Sequence, residues 1–338
     1  MKSPITGKEM PLCREKRRAE FRKESFEIVF HFYKCEDSGE QFTTTELDEL
    51  NLAQLHNQYR YSNNIPFTDE IAKVRNKYQV SASSMSEILG LGVNTYRNYE
   101  VGEIPSKANA KLISLADNPN YFKELVKSCT TLKENDRKKI LKRADTLINK
   151  NEEQFPTTAV LDYIFGSDNK GKLTGFKKPN AEKLAQMVLF FAERMKPYKT
   201  KMNKLLFYAD FLNFRNSAFS ISGMQYIAID HGPVPDNFQS IFEYLSNEGY
   251  IKREIQHFPS GKEGTIFATS DKHKFDASLF TDAEMEILNG VANKFKDISA
   301  SDIKEISHLE QGWIKNENNK SAINYEYAFD MDGQAIHR

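Results

Sequence analysis

Between Gln79 and Pro105 the chain reads QVSASSMSEILGLGVNTYRNYEVGEIP, and two short helical patterns meet there at Leu89-Gly90-Leu91-Gly92. No other stretch narrows the possible folds as far. The first pattern gathers Met85, Ile88 and Leu89 on one face, with Ser81 or Ser83 placed to cap orphan amides at its start. The second begins after Gly92, turns Tyr96 and Tyr99 inward and leaves Asn94, Thr95, Arg97 and Asn98 facing out. Gly90 or Gly92 supplies the tight bend between them. Glu100-Val101-Gly102 reads as the stop, with Gly102 in a left-handed cap and Pro105 preventing continuation.

This stretch resembles the XRE-type helix-turn-helix, whose second helix typically ends in an aromatic, a glutamate and a nearby glycine. Here those are Tyr99, Glu100 and Gly102. The resemblance implies a helix that reads duplex DNA, and the side-chain chemistry agrees. Amides and guanidinium groups on the leading turn of such a helix make paired hydrogen bonds to base edges in the major groove. Asn94, Arg97 and Asn98 are the base-reading candidates, and Thr95 is the candidate phosphate contact. The plainer alternative is two amphipathic helices packed in a bundle with a solvated polar face, but helix hairpins seldom combine the glycine turn, the cap and the polar leading edge.

A chain of 338 residues suggests two or three domains, and its 39% hydrophobic and 12% aromatic content is enough for real cores. Charged residues make up 28% yet balance to a net of zero. That balance conceals a split: residues 1–150 carry about four more basic than acidic side chains, and the remainder about four fewer. A mildly basic half suits a DNA reader joined to a module with another partner. Three cysteines, Cys13, Cys35 and Cys129, make no disulfide framework in a chain of this size, so a reducing compartment is expected. With no secretory leader and no apolar run of membrane-spanning length, the expectation is a cytoplasmic protein without a membrane partner.

Phe26, Ile28, Phe30 and Phe32 alternate with Glu27, Val29, His31 and Tyr33, a period-two strand signal running into a knuckle-like turn, Tyr33 to Glu40. Ser3-Pro4-Ile5-Thr6-Gly7 has a similar outline. Two C-x-x-C knuckles in a small β-rich module ahead of an XRE-type helix-turn-helix are the layout of MqsA-type antitoxins, which residues 1–43 resemble as a degenerate zinc-ribbon. The ligand positions that the resemblance implies are Ser3 and Thr6, then Cys35 and Ser38. Only one thiolate survives, and neutral hydroxyls are poor zinc ligands. The expectation is therefore a ribbon with no metal and no cofactor, held by its aromatic strand and by hydrogen bonds from those hydroxyls. The alternative, a zinc site recruiting Cys13 and His31, lacks knuckle spacing.

Residues 44–150 are assigned to a linker helix and the DNA-binding domain. Residues 44–60 form a helix opened by Thr44 or Thr45 with Leu47, Leu50, Leu52 and Leu55 as its stripe, followed by helices at 69–78 and 106–117 and a basic helix at 132–150. Residues 151–180, rich in Asn, Gly, Lys and Pro, read as a linker. Beyond it, residues 181–325 begin with two broadly apolar helices, 181–195 and 199–214. A strand over Ile221–Ile229 then runs into a turn over 230–235, followed by a helix at 236–247. A hairpin with arms at 250–251 and 265–267 and helices at 281–296 and 301–308 complete the domain.

The succession KMNKLLFYAD from Lys201, then Ile221-Ser222-Gly223 and Tyr226, then His231-Gly232-Pro233-Val234, and later Ser307-His308 with Trp313, resembles the Panacea or SocA-like antitoxin domain over roughly residues 180–315. The resemblance implies neutralisation of a toxin by direct binding, and His231, Gly232, Pro233 and Val234 are the candidate toxin-facing residues. Each also has a bland reading. Pro233 fixes the backbone, Tyr208 and Trp313 belong to the core, and His231 and His308 make structural hydrogen bonds, since nothing of ligand spacing surrounds them.

The expected fold is thus α+β and mainly helical: a small β-rich N-terminal ribbon, an XRE-type helix-turn-helix bundle, and a helix-rich α+β Panacea domain. The expected function is an antitoxin that binds a cognate toxin protein and, as a homodimer on a palindromic operator, represses its own operon. A transcriptional regulator without a toxin and a SocA-like proteolytic adaptor are the alternatives. No phosphate-cradling glycine loop, nucleophile elbow or paired metal ligands are present, so no catalytic residue is assigned and an enzyme is not expected.

Overall fold

The computed structural model describes residues 1–166, 170–259, 261 and 263–331, and of residues 150–160 the backbone alone. The fold is mainly helical α+β. Strands β1 (Leu12–Phe21), β2 (Glu24–Lys34) and β3 (Gln41–Phe42) open the chain. Helices α1 (Thr45–Ser62), α2 (Thr68–Tyr78), α3 (Ala82–Ile88), α4 (Thr95–Glu100), α5 (Lys107–Ala116), α6 (Pro119–Ser128) and α7 (Glu134–Phe165) follow. The remainder comprises α8 (Ala181–Met195), α9 (Lys199–Ser217), β4 (Tyr226–Ile229), β5 (Gly232–Pro235), α10 (Phe238–Asn247), β6 (Ile251–His257) and β7 (Glu263–Thr269). Helices α11 (Asp282–Phe295), α12 (Ala300–Ser307) and α13 (Gln311–Ile314) follow, and short 3-10 turns at Glu317–Asn319 and Tyr325–Asp330 close the order.

The chain divides into two compact units. One holds residues 1–17, 29–53 and everything from 160 onward; the other holds 18–28 and 54–159. These bounds differ from the expected 1–43, 44–150, 151–180 and 181–325, because β1, β2 and α1 each contribute residues to both units. In the first, Asn51 of α1 exchanges two hydrogen bonds with the backbone of His31 on β2, at 2.9 and 3.0 Å, and the His31 ring meets Phe329 edge-on. In the second, Phe21 and Phe26 present ring edges to Tyr59 of α1.

Helix α9 is the axis of the first unit. Every residue from Lys201 to Phe214 is buried, as a helix covered on all sides must be, with α8, α11, α12 and β5 packed around it. Phe211 stacks on Tyr325 at 4.3 Å, and Phe207 and Tyr226 complete the ring cluster. Strands β4 and β5 form an antiparallel hairpin in register from Tyr226↔Pro235 to Ile229↔Gly232. The expected turn at 230–235 is therefore confined to Asp230 and His231, and Gly232–Pro235 is a strand. The expected strand over 221–229 begins only at Tyr226, since the backbone amides at 221 and 222 are directed at Asp210 and not at a neighbouring strand.

The stretch expected as a linker is ordered by specific contacts. Helix α7 continues through Phe165, and the Gly171–Pro179 segment is pinned where the Ser220 hydroxyl donates to Thr174 O (2.7 Å) and the Ser220 amide to Gly175 O (3.0 Å). Residues 167–169 and the side chains of 151–160, which also fall in that stretch, lie outside the described residues.

The second unit packs α2 to α6 and the start of α7 around Ile71, Val74, Met85, Ile88, Leu89, Ile113 and Val126, with Tyr78 stacked on Phe122 at 3.6 Å. Helix α6 was not expected from the sequence. Its signal is Asn118, whose side chain accepts from the Asn120 amide at 2.9 Å, followed by Pro119 at the first helical position.

Candidate functional site

Helices α3 and α4 are each fixed at both ends. Ser81 caps α3 by accepting from the Ser84 amide at 3.0 Å, the role expected of Ser81 or Ser83. At its far end Gly90 has φ +64, Gly90 N–H donates to Glu87 O (3.1 Å) and Leu91 N–H to Ser86 O (2.8 Å), the paired closure of a Schellman motif. Gly92 stays outside the left-handed region, so Gly90 alone makes the bend. Buried Ser86 then accepts from the Tyr96 amide at 3.0 Å and so caps α4 from within α3. Helix α4 ends in the same way as α3, with Gly102 at φ +122 and the Glu103 amide bonded to Asn98 O at 3.0 Å.

The two faces of α4 differ completely. Tyr96 and Tyr99 are buried; Tyr96 Oη donates to Ile71 O (2.8 Å), and Tyr99 Oη accepts from Asn109 Nδ2 (2.8 Å). Glu100 is tied to Arg75 of α2 at 2.6 Å, and buried Arg60 donates to the carbonyls of Gly102 and Glu103, both at 3.1 Å. Burial pulls the Arg60 guanidinium down to about 10, still charged at neutral pH. On the opposite face Asn94, Arg97 and Asn98 are exposed and Thr95 is half-buried. None of these four side chains hydrogen-bonds another described residue, and Asn94 makes no capping bond, so their donors and acceptors face solvent.

At the N-terminus the four expected knuckle positions converge. Ser3 Oγ donates to Cys35 Sγ at 3.2 Å, Thr6 Oγ1 lies 3.8 Å from the same sulfur, and the Ser38 hydroxyl and amide also face it. Cys35 is 2% exposed. These hydrogen bonds, the Ser3 hydroxyl foremost, pull its thiol down to about 6, so sulfur carries negative charge at neutral pH. Among the described residues no group of three or more His, Cys, Asp or Glu side chains is arranged so that it could hold a metal ion, Cys13, His31 and Cys35 included. The buried His31 ring is pulled down to about 4, chiefly by desolvation, and is neutral.

Within α9 two charged residues organise the surrounding segments. Asp210 is wholly buried and accepts from the amides of Ile221 (2.8 Å) and Ser222 (2.7 Å), from the Ser222 hydroxyl and from Tyr226 Oη (2.8 Å). Burial pushes its carboxyl above the usual range against the pull of those donors. The next residue, Gly223 at φ +75, passes so close to Lys178 O that an added Cβ would lie 2.2 Å from it. Lys204 Nζ donates to Pro233 O at 2.8 Å, and burial pulls its ammonium down to about 7.

Residues 202–314 match the family model described as antitoxin SocA-like, Panacea domain. The match supports an antitoxin-like module in this part of the chain. No curated protein and no solved structure matches. Among the described residues no helix is long and apolar enough to cross a membrane.

Within the matched segment the four candidate toxin-facing residues separate. His231 is exposed at the β4–β5 turn, whereas Gly232, Pro233 and Val234 are buried. A Cβ on Gly232 would meet Ser307 Oγ at 2.5 Å and Lys204 Cε at 2.6 Å, so this segment lies against α9 and α12 and presents no side chain to a partner. Tyr208 is buried and donates to Glu310 (3.1 Å). Trp313 is half-buried, its Nε1–H donates to Ile229 O (2.8 Å), and the His308 ring stacks on it at 3.8 Å. Lys204 and Asp210 are the residues whose roles sequence reasoning missed. Their signal was charge inside a helix whose apolar residues cover a broad arc, so that Lys204 and Asp210 have to be buried with it.

Proposed function

We propose that this protein is a DNA-binding antitoxin: the Panacea domain captures a cognate toxin, and α3–α4 acts as an XRE-type helix-turn-helix that represses the operon. The observation that carries the reading is the two-sidedness of α4, whose tyrosines are locked inward while Asn94, Arg97 and Asn98 stand free on one exposed edge. The family match over residues 202–314 supports the antitoxin half. The convergence of Ser3, Thr6, Cys35 and Ser38 supports a zinc-free MqsA-like ribbon, with a hydroxyl-solvated thiolate where a metal would otherwise hold the knuckles. Homodimerisation on a palindrome would double the base contacts of a six-residue helix. Of the toxin-facing candidates, His231 keeps a direct role.

The test combines promoter retardation with toxin capture. Each paired base contact is worth about 1–3 kcal/mol, so Asn94→Ala and Arg97→Ala should each weaken specific binding roughly 5- to 150-fold. Co-purification with the product of the neighbouring gene, and rescue of growth, should be untouched. Equal loss of both activities would sink the modular reading.

A further inference from the structure

The β1–β2 hairpin turns on Arg22 and Lys23, both with left-handed backbone at φ 49 and 69. Asparagine and glycine ordinarily fill such a two-residue turn; here two cations do. Arg22 is engaged. Its guanidinium donates to Ile104 O (2.7 Å) and Pro105 O (2.9 Å), and it lies over the rings of Phe21 and Tyr59 at 5.2 and 5.7 Å. On the other side of the turn Glu24 accepts from Asn63 Nδ2 at 2.9 Å and faces Lys107 Nζ at 3.6 Å. The tip is thus fastened at both flanks to the segment that leaves α4 and begins α5. Lys23, between those anchors, is exposed and makes no hydrogen bond or ion pair with a described residue.

A six-residue helix is about 9 Å long and the major groove about 12 Å wide. With the leading turn of α4 against the bases, the chain leaving its far end meets the phosphate strand that borders the groove. Lys107 stands there in the first turn of α5, whose amides carry partial positive charge and whose Ser106 cap occupies only the Asn109 amide. Arg18, Glu20 and Glu27 are exposed further down the hairpin and Glu24 faces Lys107 at 3.6 Å, so within the turn Lys23 is the cation without a partner among the described residues.

We propose that the Arg22–Lys23 turn and the start of α5 form a second DNA contact, a wing in which Lys23 and Lys107 bind a backbone phosphate beside the groove that α4 enters. This rests on the DNA-binding reading above. It assigns the hairpin tip a role that carries no sequence information, because phosphates are the same along every duplex.

The experiment uses the full chain with two probes, the duplex upstream of its own coding sequence and an unrelated duplex of equal length, titrated over a range of salt. Lys23→Gln and Lys107→Gln should each weaken binding to both probes by the same factor, roughly five- to tenfold, and reduce the salt slope by about one. Lys23→Gly gives the same loss while relieving the left-handed backbone, so its melting temperature should not fall below that of the wild type. Asn94→Ala should weaken only the specific duplex. Unchanged affinity and slope in the lysine variants, with Asn94→Ala still impaired, would overturn the wing and leave the DNA reading intact. Failure of the wild-type chain to bind either duplex would overturn both.

Discussion

The ammonium of Lys204 donates to the carbonyl oxygen of Pro233 across 2.8 Å, and among the described residues no carboxylate pairs with it. Burial, with Lys304 as a like charge nearby, pulls its pKa from 10.5 to about 7. Between those values the unfolded chain holds a proton that the folded chain releases, so stability rises with pH across that window. Below about pH 7 both states are protonated and the cost of the buried charge is complete. Lys204→Met removes the titrating group. The stability of wild type minus that of the variant should therefore climb from pH 7 to pH 10 in urea midpoints. Parallel profiles would show that the amine keeps its proton in the fold.

Asp210 gathers four donors in the core: the Ile221 and Ser222 amides, the Ser222 hydroxyl and Tyr226 Oη. Truncation to alanine strands the Ile221 and Ser222 amides and Tyr226 Oη, at about 1–3 kcal/mol each, a sum comparable with the stability of a whole domain. Asp210→Ala should abolish the cooperative thermal transition of the unit that holds α9 and, on the proposed antitoxin reading, toxin capture with it. Asp210→Asn keeps one acceptor oxygen and should lose less. A variant at alanine that melts like the wild type would remove Asp210 from its organising role.

These two residues mark where the sequence was legible and where it was not. Helix periodicity identified α8 and α9, and the glycine, serine and tyrosine pattern located α3 and α4 to within a few residues, because local sequence decides those features. The backbone of Gly232–Pro235 was read as part of a turn because glycine-proline is a turn signal, whereas it forms a strand held against Lys204 and Ser307, residues distant in sequence. The composition of 151–180, rich in Asn, Gly, Lys and Pro, likewise read as a linker, yet α7 runs on through Phe165. The division of β1, β2 and α1 between two units depends on which far segments each end meets, and no local pattern carries that.

A lone thiolate among hydroxyls should make the stability of the ribbon rise with pH between about 6 and 9. The Cys35 thiol is lowered from 9.0 to about 6, so its contribution is full above about pH 9 and fades as pH falls through 6. Ser3→Ala removes the largest cause and should raise the pKa. The ultraviolet thiolate absorbance of a chain with Cys13 and Cys129 changed to serine reads this directly. An unshifted titration would mean that Ser3 does not solvate the sulfur.

Gly90 separates backbone strain from packing in the turn between α3 and α4. Its φ is +64 and an added Cβ would meet nothing within 4 Å, so alanine is penalised by conformation alone. Gly90→Ala should cost about 1–2 kcal/mol, and Gly90→Asn less, because asparagine visits the left-handed region more readily. Both variants keep Ser86 as the cap of α4 and leave Asn94, Arg97 and Asn98 in place. On the proposed DNA-binding reading, well below their melting temperatures they should bind promoter DNA to the same extent as the wild type. Loss of retention without loss of stability would instead place the Gly90 backbone in direct contact with DNA.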